Sequence, residues 1–213
     1  MVRFILNCYM TTVHHRSRHP LVIVLSGPSG VGKDATIARI RDIGVKFHYV
    51  ITCTTREKRP GEVDGLHYHF LNKREFKRKI AQDEFLEYAE VYGNLYGVPK
   101  EEVRRPLDRG EDVIIKVDVQ GATTLKEKIP DAVFICLQTP SLDDLHERLK
   151  NRNSDSASSV NTRMNKAGEE LKYLPLFDYC VVNIKDDLDR TAEAVAGIIR
   201  TEKHRVKPRV IRI

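Results

Sequence analysis

Along the chain, apolar runs of β type alternate with stretches whose apolar positions recur at helical spacing. LVIVLSG (21–27) is a continuous apolar run closed by glycine, the pattern of a strand buried on both faces. ATIARIRDI (35–43) has helical periodicity, and Gly44 supplies a stop. FHYVITC (47–53) predicts a second strand. From Thr52 to Gly97 this rhythm breaks into a basic turn, TTREKRPGEVDG, and a short alternating strand, HYHF. A helix follows, led by Asn72 with Glu75 completing a capping box, and then FLEYAEVYGNLYG. The block reads as an inserted, mostly β subdomain. Beyond it the spacing predicts a helix from about Pro99, strand DVIIKVD, a helix after Gly121, strand AVFICL and helix SLDDLHERLK. NRNSDSASSV (151–160) is polar and low in complexity, an expected mobile segment. A helix over 161–173, strand DYCVVN and a last helix to about Lys203 complete the chain. Strands alternating with helices imply an α/β fold on a mainly parallel sheet.

Composition narrows the class. The chain has 213 residues, 41% hydrophobic and 31% charged, enough for one main core with a small insertion. No apolar run approaches the roughly 18 residues of a membrane span, so no membrane partner is expected. Cys8, Cys53, Cys136 and Cys180 have no metal-binding spacing and fit buried thiols in a reducing compartment. The net charge of +6 gathers at the ends: no acid precedes Asp34, and KHRVKPRVIRI has none. Without interleaved aromatics these basic ends do not point to nucleic acid. An acid-free, Arg-bearing N-terminus keeps an organelle transit segment open beside a cytoplasmic location.

Candidate chemistry begins at GPSGVGKD. Gly27, Pro28, Ser29, Gly30, Val31, Gly32 and Lys33 form GxxxxGK between a strand and a helix, the context a phosphate-binding loop requires. Its backbone N–H groups converge on phosphate oxygens, and Lys33 reaches the outer phosphates. The next position usually offers a Ser or Thr hydroxyl to Mg2+; here it is Asp34, whose carboxylate is an alternative hard ligand. Asp118 ends a buried strand, where open α/β sheets place ligands, and suits a Mg2+ role; acids there also serve as helix caps.

The other candidates face an acceptor. Arg56 and Arg59 lie in one turn, and guanidinium forks suit a phosphate monoester, although a solvated basic turn has the same composition. Tyr68 and Tyr96 offer hydroxyls. Glu87 can accept two hydrogen bonds from the N1–H and N2–H2 edge of guanine, an edge adenine lacks. Arg148 and Arg152 share a helix face, and Arg163 stands across the polar segment, an arrangement fit for a lid that closes on transferring phosphates.

In order and spacing, GPSGVGKD, TTREKRPGEVDG, HYHF, FLEYAEVYGNLYG, VDVQGA, ERLKNR and DYCVVN resemble guanylate kinases, from about Leu21 to Lys203. The resemblance implies a P-loop NTPase fold, three-layer α/β/α, with an inserted mixed β GMP-binding subdomain and a helical lid. It implies Mg2+-dependent transfer from ATP to GMP (and dGMP), giving ADP and GDP. The domain would cover 21–204 (core 21–51 and 98–204, insertion 52–97, lid 148–163), flanked by an extension, 1–20, and a basic tail, 205–213. The same resemblance gives Lys33, Arg148, Arg152 and Arg163 to catalysis. Residues 27–34 and Asn183 fall to ATP, and Thr52, Arg56, Arg59, Tyr68, Glu87, Tyr96 and Asp118 to GMP. Mg2+ falls to Asp34 and Asp118. The partners implied are these small nucleotides; oligomeric state is not indicated.

Three positions depart from the family pattern: Asp34 for Ser or Thr, Val98 where a hydroxyl near guanine is usual, and Lys116 for an acid two residues before Asp118. Together they resemble plant organellar and some bacterial guanylate kinases. The rival readings are a guanylate-kinase-like binding module without catalysis and another small-molecule P-loop kinase.

Overall fold

A computed structural model describes residues 19–150 and 157–213, the backbone alone for 157–161. Its centre is β1 (Val22–Ser26), whose five residues are all buried. Leu21, Ile23 and Leu25 face one apolar cluster, Val22 and Val24 another, because successive side chains leave a strand on opposite faces. Helices α1 (Lys33–Asp42) and α7 (Leu188–Glu202) cover the first face through Ile37, Ile40, Val195 and Ile199. The second is covered by α3 (Lys100–Asp108) and α4 (Val119–Lys128) through Val103, Ala122 and Leu125. The result is the expected three-layer α/β/α sandwich.

The central sheet has the order β2-β7-β1-β8-β9, from β2 (His48–Tyr49), β7 (Val113–Lys116), β8 (Val133–Gln138) and β9 (Tyr179–Val182). All its pairings are parallel. Neighbours β7 and β8 flank β1, so the loop after Ser26 emerges at the carboxyl ends of the strands, where such sheets bind ligands.

A second sheet, β4-β3-β6-β5, is built from β3 (Cys53–Thr54), β4 (His69–Phe70), β5 (Phe85–Val91) and β6 (Asn94–Pro99). It packs α2 (Lys73–Ala81) over a core of Cys53, Phe76 and Phe85. The Asn72–Glu75 capping box forms in both directions. At the β5–β6 turn, Tyr92 and Gly93 both have positive φ, 51° and 77°, as a tight hairpin turn demands. The run FHYVITC is not one strand. Val50 donates to Ile114 O in the first sheet, and three residues later Cys53 pairs with Gly97 in the second, so the chain changes sheets between them.

A bulge shifts the β5–β6 register between Phe85 and Glu87, leaving Phe85, Leu86 and Glu87 all buried in succession. Regular alternation would have exposed one of them. Phe85 enters the core of the second sheet, Leu86 that of the first, and Glu87 the space between.

Two helices differ from their expected bounds. α4 starts at Val119, before Gly121, because Asp118 caps it. The helix expected over 161–173 is α6 (Ala157–Glu170) followed by a 3-10 turn, Leu171–Leu176, that holds Pro175. α5 (Leu142–Lys150) precedes them. Of the polar segment expected to be mobile, 151–156 lies outside the described residues, while 157–160 is helical backbone. The basic tail packs on the domain: Arg209 bonds Glu202 at 2.8 Å and Ala132 O at 3.0 Å, while Ile211 and Ile213 cover the second apolar face. No described helix is long and apolar enough to cross a membrane.

Candidate active site

The turn from β1 into α1 depends on glycine. Gly27, Gly30 and Gly32 have φ of 135°, 89° and 99°, a region costly for other residues. A Cβ on Gly27 would stand 2.2 Å from the main-chain oxygen of Leu137, and one on Gly32 2.4 Å from Asn183 Nδ2. Gly27→Ala should cost about 3 kcal/mol or more, since fixed backbone must move. In a chain of this size that lowers Tm by about 6–12 °C in a melting curve.

The loop is bolted from behind. Asn183 Nδ2 donates to Val31 O at 2.7 Å, and Thr191 Oγ1 donates to Asn183 Oδ1 at 3.1 Å. Arg148 bonds Asn183 O at 2.7 Å and Val31 O at 3.3 Å. Thr191 was invisible in the sequence, being an ordinary residue of a helix first turn.

Lys33 opens α1 and folds back on the loop, its Nζ 2.5 Å from Gly27 O and 3.0 Å from Pro28 O. Burial of the ammonium lowers its pKa, partly offset by Glu170, Asp34 and Asp118, while Lys116 adds to the lowering. Asp34 and Asp118 therefore both lie within electrostatic reach of Lys33. The Asp118 carboxylate caps α4 by accepting from Gly121 N at 3.0 Å and pairs with Lys166 at 3.3 Å. Asp34 pairs with Lys116. Among the described residues no group of three or more His, Cys, Asp and Glu is gathered as a metal cage.

Across the sheet edge stand the acceptor candidates. Glu87 is 3% exposed, and burial, reinforced by the charge of Asp118 and moderated by Lys128, pushes its carboxyl up to about 8. Gly121 makes room for it: a Cβ there would meet Glu87 Oε1 at 2.8 Å. Thr52 and Val98 are buried near the same end of the second sheet. Arg56 Nη2 donates to both carboxylate oxygens of Glu62, at 2.6 and 2.9 Å, and the guanidinium lies over the rings of Tyr68 and Phe70. The Tyr68 and Tyr96 rings meet edge to face at 6.1 Å. The Arg59 backbone N–H also donates to Glu62, which the sequence had not marked.

On the lid side, Arg163 lies over the ring of Tyr92 at 5.7 Å and Lys166 over the same ring at 5.0 Å, so α6 rests on the β5–β6 turn. Arg152 lies outside the described residues. The phosphate loop, Arg148, Asn183 and Asp118 thus form one wall and Glu87, Arg56, Tyr68 and Tyr96 the other. Phosphoryl transfer between nucleotides requires a polyphosphate site beside a monophosphate site, and these candidate residues have the chemistry for each.

Known proteins resemble this chain in sequence and in fold. The guanylate kinase family model matches residues 18–202. A guanylate kinase of Lactococcus lactis is 46% identical over 186 residues, 87% of this chain and 90% of the relative. The chloroplastic/mitochondrial guanylate kinase 2 of Oryza sativa is 43% identical over 195 residues, 91% of this chain and 68% of the relative. The crystal structure of guanylate kinase from Anaplasma phagocytophilum superposes with a TM-score of 0.72 at 28% identity, covering 90% of each chain.

Proposed function

The chain belongs to the guanylate kinase family, the ATP:GMP phosphotransferases, and from that premise we propose how its residues divide the work. A carboxylate buried in the second sheet carries the reading. Glu87 is 3% exposed, an unfavourable place for a charge unless a ligand with paired N–H donors fills the space before it. The guanine edge is such a ligand, and Thr52 lies beside it.

Arg56, Arg59, Tyr68 and Tyr96 take the GMP phosphate, and Glu62 holds the Arg56 fork in position. Residues 27–32 wrap the donor phosphates with main-chain N–H groups, Lys33 reaches the transferring phosphoryl, and Asn183 borders the adenine. Arg148, Arg152 and Arg163 neutralise charge that develops in transfer. A phosphate oxygen of GMP attacks the terminal phosphorus of ATP; one P–O bond forms, the bond to the ADP oxygen breaks, and its electron pair leaves with ADP. A phosphate monoester is already largely anionic at neutral pH, so no general base is needed. Asp34, 72% exposed in the first turn of α1, fits Mg2+ as a hard oxygen ligand, and Asp118 fits through water, its own oxygens being engaged. Bound there, Mg2+ would supply positive charge to offset that of the donor phosphates. The proposed compartment is the cytoplasm, with a plastid or mitochondrion as the alternative.

A coupled assay of ADP formation with GMP, dGMP, AMP, UMP and CMP tests this. Turnover with GMP and dGMP alone is expected. Binding of ATP and GMP without GMP-dependent turnover would sink it in favour of a binding module.

A further inference from the structure

Lys116 ends β7 at the ligand-binding edge of the sheet, paired in register with Leu25 of β1 just before the phosphate loop. Its side chain is 11% exposed, and its Nζ touches both walls of the cleft. On the donor side it meets Asp34 Oδ1 at 2.5 Å. Toward the acceptor it lies 3.4 Å from Tyr68 Oη, 5.1 Å from the Tyr68 ring centroid and 5.9 Å from that of Tyr49.

The pair is lopsided. Lys116 is sunk between rings, whereas Asp34 is 72% exposed and exchanges the contact for water at little cost, since such half-exposed pairs contribute only about 0–1 kcal/mol. An anionic phosphate oxygen beside Tyr68 would be a stronger and better placed partner. Arg56, 5.5 Å from the centroid of the same ring, shows that Tyr68 carries a second cation.

We propose that Lys116 is a further substrate-contacting residue of this kinase, binding the phosphate of the nucleoside monophosphate together with Tyr68. In the empty enzyme Asp34 occupies the seat of a phosphate oxygen. Lys116 then stands between acceptor and donor phosphates, where repulsion between the two anions is greatest. The inference rests on the acceptor-site reading above.

Calorimetry with GMP and with guanosine, without ATP or Mg2+, tests it. Lys116→Met is expected to weaken GMP binding about 10- to 30-fold, the worth of a charge-assisted hydrogen bond, and to leave guanosine unchanged. Asp34→Asn, which removes the competing charge, is expected to tighten GMP about 2- to 5-fold. In steady state Lys116→Met raises KM for GMP more than KM for ATP. Equal loss for GMP and guanosine, or no loss for GMP, overturns the role of Lys116, and weaker GMP binding by Asp34→Asn overturns the seat. If the wild-type protein binds no GMP, the acceptor-site reading falls and this inference with it. If it binds GMP and Lys116→Met binds equally well, only this inference falls.

Discussion

Glu87→Gln should lower kcat/KM for GMP on the order of 10³-fold and at the same time raise the stability of the empty protein above pH 8. Glutamine keeps the shape of the side chain but presents one acceptor and an N–H2 group, so one of the two guanine donors meets another donor. Losing a charge-assisted bond and burying two facing donors costs several kcal/mol, within the range by which hydrogen-bonding sites reject wrong ligands. AMP, whose N1 is an acceptor, should lose far less, so base discrimination narrows. The stability effect has the opposite sign. The folded carboxyl titrates at about 8 and its ordinary value is 4.5, so between those values the folded state keeps a proton that the unfolded chain has released. Stability of the wild-type protein therefore falls as pH rises through that window, at up to about 1.4 kcal/mol per pH unit, and the penalty is complete above about pH 8. The gain of Glu87→Gln grows from pH 4.5 to about 8 and is flat beyond, as denaturant titrations at several pH values would read. GMP must meet the ionised form, so its binding releases a proton; KM for GMP should fall between pH 6 and about 8. A pH-independent KM would refute the assignment of Glu87 to the base.

Lys33→Met is the second large effect, on the order of a 10³-fold loss of kcat, the scale seen when one preorganised charge is removed from a transition state. Lys33 lies against the carbonyls of Gly27 and Pro28, and burial lowers its pKa. Burial thus disfavours this cation where it stands. Methionine keeps most of the stem and removes the ammonium, so the fold should persist by circular dichroism, with Tm unchanged or higher. Retained kcat, or collapse of the fold, would contradict the role given to Lys33. Both substitutions express one relation: burial disfavours the charges of Glu87 and Lys33 in the empty protein, so the roles proposed for them are kept at some cost in stability.

Much of this was legible in the chain, and the reasons are local. Strand periodicity, GPSGVGK, the Asn72 cap and the strand-end Asp118 are written in consecutive residues, so the sandwich and its phosphate loop could be read directly. Contacts between distant segments could not. Asn183 borders a loop more than 150 residues earlier and holds Val31 O, and Lys116 finds Asp34 because β7 lies beside β1. The division of FHYVITC between two sheets is set by the partners Ile114 and Gly97, not by its own composition. Asp118 shows how one residue type serves two readings, because its carboxylate caps α4 in the place expected of a metal ligand.

The β5 bulge has a mechanical consequence. Within three consecutive residues the strand anchors one side chain in each core and buries the third, Glu87. A segment fastened at both ends of so short a span acts as a fulcrum. Phe85 and Leu86 hold the two sheets together at this point, so Glu87 sits where the sheets are least able to move relative to one another. A base read there by Glu87, as proposed, would meet a stationary gauge.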